Sequence, residues 1–321
     1  MPITPYFMVT NRKVEKDGLS EKRVDSLSFF TGKGSTDLSK FANWTPFDKG
    51  EDFVKAVRAE AAKFPVLPDE HNAEQKHLSL FVHGYNNGWK DSAKRYMQIK
   101  RDLYDAKDLG MLVLFSWPSN GTSAGYLPDR EDARESGPQT AELFVRLHEI
   151  VTAEQRLAAR TDDLSRMCRA KISVIAHSMG NYVVQKGLAV AAKRLNSPQL
   201  ITLVHQLAMV AADVDNDLFQ NDRPQEDDGS LMSNLCYRIS ALYTGLDEVL
   251  GASAGLKHFG KRRLGRSGLA EPRNTWDNVF HQDVSSLIVK KNIHSAVFDS
   301  PKSMALLEKV LRGVDRAHLG V

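Results

Sequence analysis

The sequence predicts a doubly wound α/β sheet, mostly parallel, with helices on both faces. Short apolar runs alternate with amphipathic stretches along the chain. Most of those runs are near-continuously hydrophobic, as strands buried on both faces of a parallel sheet are. Strand–helix alternation at this spacing builds such a fold. The expected strands are YFMVT (6–10), HLSLFVH (77–83), MLVLFSW (111–117), KISVIAH (171–177), HQLAMVAA (205–212), YRISALYT (237–244) and SSLIV (285–289). Helical periodicity covers 51–63, 89–107, 138–159, 181–195 and 301–312. The last of these has Ser300 as its N-cap and Pro301 at the first helical position, which suits a residue with no N–H to donate.

Composition narrows the class. Hydrophobic residues make up 42% of the 321 and charged residues 26%, which excludes collagen, coiled coil and wholesale disorder. Basic and acidic side chains nearly cancel, 43 against 40, so no general attraction to nucleic acid is expected. Cys168 and Cys236 form no CxxC pair and cannot make a disulfide framework, which is the usage of a reducing compartment. The first residues, MPITPYFMVTNRK, lack the apolar stretch of a signal peptide. The longest apolar segment, 200–212, holds His205 and Gln206 and is too short to span a bilayer. The expectation is a cytoplasmic protein without an integral membrane segment. With neither repeat nor low-complexity linker, residues 1–321 read as one domain.

Three stretches leave the alternation as possible insertions over the sheet. Residues 118–137 are polar and rich in turn formers; 213–234 are acidic; the loop 251–275 is basic. The charge runs read first as solvated loops. The alternative is that the acidic and basic segments face one another as a cap over a pocket, since long loops in compact domains are often functional.

Ligands on open α/β sheets bind beyond the carboxyl ends of the strands, so the residues following each run are the ones to inspect. A serine nucleophile there sits in a tight strand-to-helix turn, flanked by small residues because the backbone is crowded. A strict G-x-S-x-G search finds GTSAG around Ser123 and GASAG around Ser253, and passes over AHSMG around Ser178. Context reverses that ranking. Ser178 follows KISVIAH directly and precedes NYVVQKGLAVAAKRL, which has helical spacing. Neither Ser123 nor Ser253 has strand and helix so placed. Ser178 is therefore the expected nucleophile, against the plainer reading of a buried serine satisfied by its own turn. Ala176 takes the place of the first glycine, one methyl group larger.

Attack on an ester carbonyl creates an oxyanion that needs fixed N–H donors. One is expected from Met179, the residue after the nucleophile, and one from the loop after an earlier strand. HLSLFVH ends in His83-Gly84-Tyr85, which assigns the second donor to the Tyr85 N–H, with Gly84 allowing close approach and His83 bracing the turn. An acid and a histidine should follow in that order. Asp247 lies just past YRISALYT and is favoured as the acid; Asp213, just past HQLAMVAA, competes with it. Of His258, His281, His294 and His318, only His294 lies between SSLIV and the final helix, which makes it the expected base. His177 should point away from Ser178 if the strand alternates, and reads as structural.

Taken together, YFMVTNR, LFVHGYNN, LFSWPSNG, YLPDREDA, IAHSMGN, AADVD, LDEVL, RRLG and NIHSAVFDS resemble a bacterial α/β-hydrolase family of unknown function, grouped with esterase- and lipase-like enzymes. The matches run from about residue 6 to 300. The resemblance implies the α/β-hydrolase fold and a serine nucleophile at Ser178, and leaves both Asp247 and Asp213 open as the acid.

Other chemistry has little support. There is no HExxH and no close Cys/His cluster, so no metal is expected. TGKGST (31–36) lacks the spacing of a phosphate loop and reads as a turn, and no redox-cofactor fingerprint appears. The expectation is a cofactor-independent serine hydrolase acting on a small-molecule carboxylic ester. An acyltransferase, thioesterase or phospholipase using the same site is the alternative, as is a hydrolase-like scaffold that only binds.

Overall fold

The computed structural model describes residues 5–34, 36–65, 75–120, 125–161, 170–195, 201–289 and 291–319. In chain order its main elements are β1 (Tyr6–Glu15), β2 (Gly18–Gly32), β3 (Trp44–Pro46), α1 (Gly50–Ala61), β4 (His77–Val82), α2 (Trp89–Ile99), β5 (Gly110–Ser116), α3 (Tyr126–Glu135), α4 (Gly137–Thr161), β6 (Lys171–His177), α5 (Gly180–Arg194), β7 (Val204–Val210), α6 (Asp228–Leu235), β8 (Cys236–Tyr243), α7 (Glu248–Ala252), α8 (Leu264–Ser267), β9 (Val279–Asp283) and α9 (Pro301–Leu311). A π-helical turn, Lys100–Asp105, continues α2.

The nine strands form one sheet in the order β3-β2-β1-β5-β4-β6-β7-β8-β9. From β1 through β9 every neighbour is parallel, while β2 and β3 pair antiparallel at one edge. The central strands β4 and β5 are buried at every position, which is why their sequences show no polar alternation. Alternate residues nonetheless serve two separate cores. Phe7, Leu80, Val113, Val174 and Met209 face one layer; Met8, Phe81, Leu114, Ile175 and Val210 face the other.

Tyr96 of α2 ties three of these elements together. Its buried hydroxyl accepts from the Phe7 N–H at 2.9 Å and donates to the Leu112 carbonyl at 2.9 Å. A helix on one face thus pins the junction of β1 and β5.

Several expectations need correction. SSLIV (285–289) is not a strand: Asp283 Oδ1 accepts from the Ser285 N–H at 2.8 Å, and the Leu287 N–H reaches Val284 O at 2.9 Å, which closes a turn. The last strand is β9, just before it, so His281 lies within that strand and His294 follows it after the turn. β2 shows no strand signal in the sequence, because β3 covers it only at Phe30–Gly32 and the rest, largely half-exposed, carries Glu21, Lys22, Arg23 and Asp25 in place of an apolar run. Residues 118–137 are not wholly loop, since they include α3. Ser300 does occupy the N-cap of α9, but its hydroxyl donates to Leu287 O and caps no helical N–H.

Replacing Tyr96 by Phe strands a buried N–H while keeping the ring. Urea unfolding of Tyr96→Phe is expected to show a loss of about 1–3 kcal/mol; an unchanged midpoint would show that the hydroxyl pins nothing.

Candidate active site

Because β1 and β4–β9 run parallel, their carboxyl ends and the loops that follow share one edge of the sheet. β6 ends at His177, and α5 begins at Gly180. Two residues must reverse the chain between them. Ser178 does so with φ +52°, a left-handed conformation that is uncommon for a residue with a side chain and is often found at functional sites. The turn is held by its own backbone: the Ser178 N–H donates to Val210 O at 3.0 Å, and Ser178 O accepts from the Asp213 N–H at 3.1 Å. Asn181 closes it further, its side-chain amide donating to Ala176 O and Ser178 O, each at 3.0 Å.

The glycine requirement is steric. A methyl group on residue 180 would lie 2.4 Å from His83 O and 2.6 Å from Val82 O, both fixed backbone atoms. One on residue 84 would lie 2.7 Å from Ser178 Cβ. The β4 and β6 turns therefore touch through glycines on both sides. Ala176, in the place of the first glycine, is fully buried at the end of β6.

His294 meets Ser178 from the loop after β9. Its Nε2 is 2.9 Å from Ser178 Oγ, and its Nδ1 is 2.8 Å from Asp247 Oδ2. With Nδ1–H donated to the carboxylate, Nε2 is left to accept the serine proton. Asp247 is fully buried, and its second oxygen accepts from the Leu250 N–H at 3.0 Å, capping α7. Arg266 donates to the Asp247 carbonyl. The structure thus brings together Ser178, His294 and Asp247.

Asp213 lies elsewhere. Its carboxylate accepts from Arg263 Nε at 2.8 Å, the Tyr126 hydroxyl at 2.7 Å and Ser253 Oγ at 3.1 Å, all of them buried. Burial pushes its pKa upward, but Arg263, Arg130 and the Tyr126 hydrogen bond outweigh that and hold it below the usual carboxylate range. His258 Nε2 sits 2.6 Å from the same Tyr126 hydroxyl. That hydroxyl gives its proton to Asp213, so the imidazole N–H is the donor to it. Ser253 is a member of this cluster and not a strand-end nucleophile, and Ser123 lies outside the described residues.

The acidic and basic runs do face one another. Asp215 and Arg263 form an antiparallel bridge, and Arg263, with no exposed surface, contacts both Asp213 and Asp215. The plainer expectation of two solvated loops fails there, because each run neutralises the other's buried charge.

His83 and Gly84 stand at the end of β4. The buried His83 ring stacks on Trp117, with centroids 5.3 Å apart, and Nδ1–H donates to Gly84 O at 2.9 Å. Trp117 Nε1 returns a bond to His83 O at 2.8 Å. Tyr85, half-buried, follows Gly84, and the Asn87 amide donates to Tyr85 O at 2.8 Å. Met179, fully buried, is the N-cap of α5. The Tyr85 and Met179 amides thus belong to the two turns that meet at Gly84 and Gly180.

Sequence reasoning missed the bracing around these turns. Arg12 within β1, fully buried, donates to Asn87 O at 3.1 Å, Ser116 Oγ at 3.1 Å and Ser119 O at 3.3 Å. Asp129 holds the same loop, accepting from Ser119 Oγ at 2.5 Å and the Asn120 N–H at 2.9 Å. The available signal was the set of polar residues set directly after apolar runs in TNR, WPSN and SMGN. His177 is not simply turned away. Its Nε2–H donates to the His294 carbonyl at 3.0 Å and so supports the neighbouring imidazole.

A mostly parallel sheet carrying a serine on a strained strand–helix turn, with a histidine and a carboxylate arriving from later loops, is the α/β-hydrolase architecture. The chain belongs to a family described as alpha/beta hydrolase of unknown function (DUF900), whose model matches residues 61–309. It is 27% identical over 205 residues to the uncharacterized protein alr1448 of Nostoc sp., a match covering 56% of this chain and 49% of that protein. The chain therefore spans about half the length of the curated relative it matches. A solved esterase of Pyrobaculum calidifontis, in a monoclinic form, aligns over 82% of this chain and 91% of its own at 11% identity, with a TM-score of 0.37. No group of His, Cys, Asp and Glu able to hold a metal ion occurs among the described residues. No described helix is long and apolar enough to cross a membrane.

Burial pushes the pKa of His77, His83 and His177 down to about 3. In the unfolded chain a histidine titrates near about 6.5. Between those values the unfolded state binds the extra protons, so this stability is complete above the unfolded pKa and is lost as pH falls toward the folded one. Urea midpoints are expected to drop steadily from about pH 7 to about pH 5, at up to roughly 1.4 kcal/mol per pH unit for each histidine. A flat profile across that window would contradict the burial of these rings.

Proposed function

We propose that the protein is a serine hydrolase that cleaves a carboxylic ester through an acyl-enzyme on Ser178. The observation that carries this reading is the hydrogen-bonded relay from Ser178 Oγ through the His294 imidazole to Asp247, seated on the left-handed turn at the carboxyl edge of the sheet.

In this reading His294 Nε2 takes the serine proton as Oγ attacks the carbonyl carbon, and Asp247 stabilises the imidazolium that results. The tetrahedral oxyanion is held by the backbone N–H groups of Met179 and Tyr85. The imidazolium returns its proton to the departing alkoxide, which leaves as the alcohol. Water then repeats the sequence on the acyl-serine, releasing the acid and restoring the hydroxyl. The reading needs no cofactor: nucleophile, base and charge stabilisation all come from this chain. Asp213 serves a different end, neutralising Arg263 and fixing the loop whose N–H binds Ser178 O.

Turnover of p-nitrophenyl acetate tests the assignment. Ser178→Ala is expected to abolish it, and Asp247→Asn to lower kcat by about three to four orders of magnitude through the wrong imidazole tautomer. Ser178→Ala turning over at the wild-type rate would overturn the nucleophile. Asp247→Asn with full activity would overturn the acid.

A further inference from the structure

The loop that leaves the Asp247 corner ends in an aromatic side chain with nothing on it. Phe259 is 99% exposed, although a buried ring would be the rule for its type. It also stands in the left-handed region, at φ +51°, a conformation that costs a β-substituted residue free energy. Gly255 and Gly260 on either side have open space where a side chain would project, so this part of the chain stands clear of the body.

The protrusion is nevertheless fixed at its base. His258, the preceding residue, meets the Tyr126 hydroxyl, and Arg263 is locked between Asp213 and Asp215. Asp213 in turn bonds the carbonyl of Ser178, so the tip is held in register with the nucleophile turn. Other exposed apolar side chains emerge at the same edge of the sheet: Leu127 after β5, Leu246 and Val249 on either side of Asp247, and Val289 after β9.

Charge selects the occupant. Lys261 and Arg262 are exposed immediately beside Phe259, Lys261 with its ammonium 3.4 Å from Asp215 Oδ2, whereas Arg263 is turned inward onto Asp213 and Asp215. An apolar tip with two exposed cations beside it matches the boundary of an anionic bilayer, where the ring enters the acyl region and the cations meet headgroup phosphates or carboxylates. A lipid surface presents an apolar layer beneath anionic groups, in the order in which the ring and the two cations stand on this loop.

We propose that the loop from Ser253 to Arg263 docks the protein on an anionic lipid surface, with Phe259 inserted, so that the Ser178 edge faces the membrane. That the membrane also holds the ester to be cleaved rests on the hydrolase reading above; the docking does not.

Co-sedimentation with phosphatidylcholine vesicles, with and without about a third phosphatidylserine, tests this. The full chain is expected to partition onto the anionic vesicles, less onto the neutral ones, and less at raised salt. Phe259→Ser should weaken partition about tenfold. Lys261→Glu combined with Arg262→Glu should remove the preference for anionic lipid. Phe259→Trp should retain binding and shift its fluorescence to the blue on vesicles, which places the tip in the apolar layer. Absence of binding to anionic vesicles, or binding that Phe259→Ser leaves unchanged, overturns the proposal. So does a dimer without vesicle binding that Phe259→Ser dissolves, which would assign the tip to a second copy. Ser178→Ala should partition like the natural chain, so a failed hydrolase reading would leave the docking result standing.

Discussion

The active edge depends on one close approach. The turn that ends β4 and the turn that ends β6 come together with no side chain between them, and glycines at 84 and 180 make this possible. A methyl group on either would force backbone apart or push against the Ser178 side chain. Once these turns touch, Ser178 has to reverse the chain in a left-handed conformation, and its hydroxyl is presented toward the loop after β9. The two turns that carry Tyr85 and Met179 are brought together by the same contact.

Such a turn is held by groups that gain nothing from water. Arg12 and Asp129 brace the β4 side through Ser119 and Asn87; Asp213 and Arg263 brace the β6 and β7 side. Both arginines are fully buried, so each is tolerable only because carboxylates and carbonyls surround it. Neutral, buried histidines do similar work with uncharged rings: His83 fixes the Gly84 carbonyl and His177 the carbonyl of His294. Polar residues that look dispersed along the sequence are therefore concentrated in two shells around a single reversal of the chain.

The parallel core was legible because buried strands have no polar face to disguise them. KISVIAH coincides with β6, and the chain reversal after it is legible from the strand before it and the helix after it, without the G-x-S-x-G string that points to Ser123 and Ser253. The edges were not legible. β2 is charged and half-exposed, while SSLIV has strand composition but is turned by Asp283. His294 follows that false strand in the sequence, and it reaches Ser178 because β9, just upstream, takes the sheet position expected of SSLIV. Sequence order left Asp247 and Asp213 both at strand ends. What separates them is which one the imidazole reaches, and that depends on Arg263 taking up Asp213 from fifty residues downstream.

The most direct measurement is chemical. A fluorophosphonate reacts with a serine only where a base removes its proton and amides receive the developing charge, so it reads the assembled geometry in one step. Intact-mass and peptide mapping of the treated protein should find a single adduct, on the peptide carrying Ser178. An adduct on another serine, or none on a folded sample, would contradict the account.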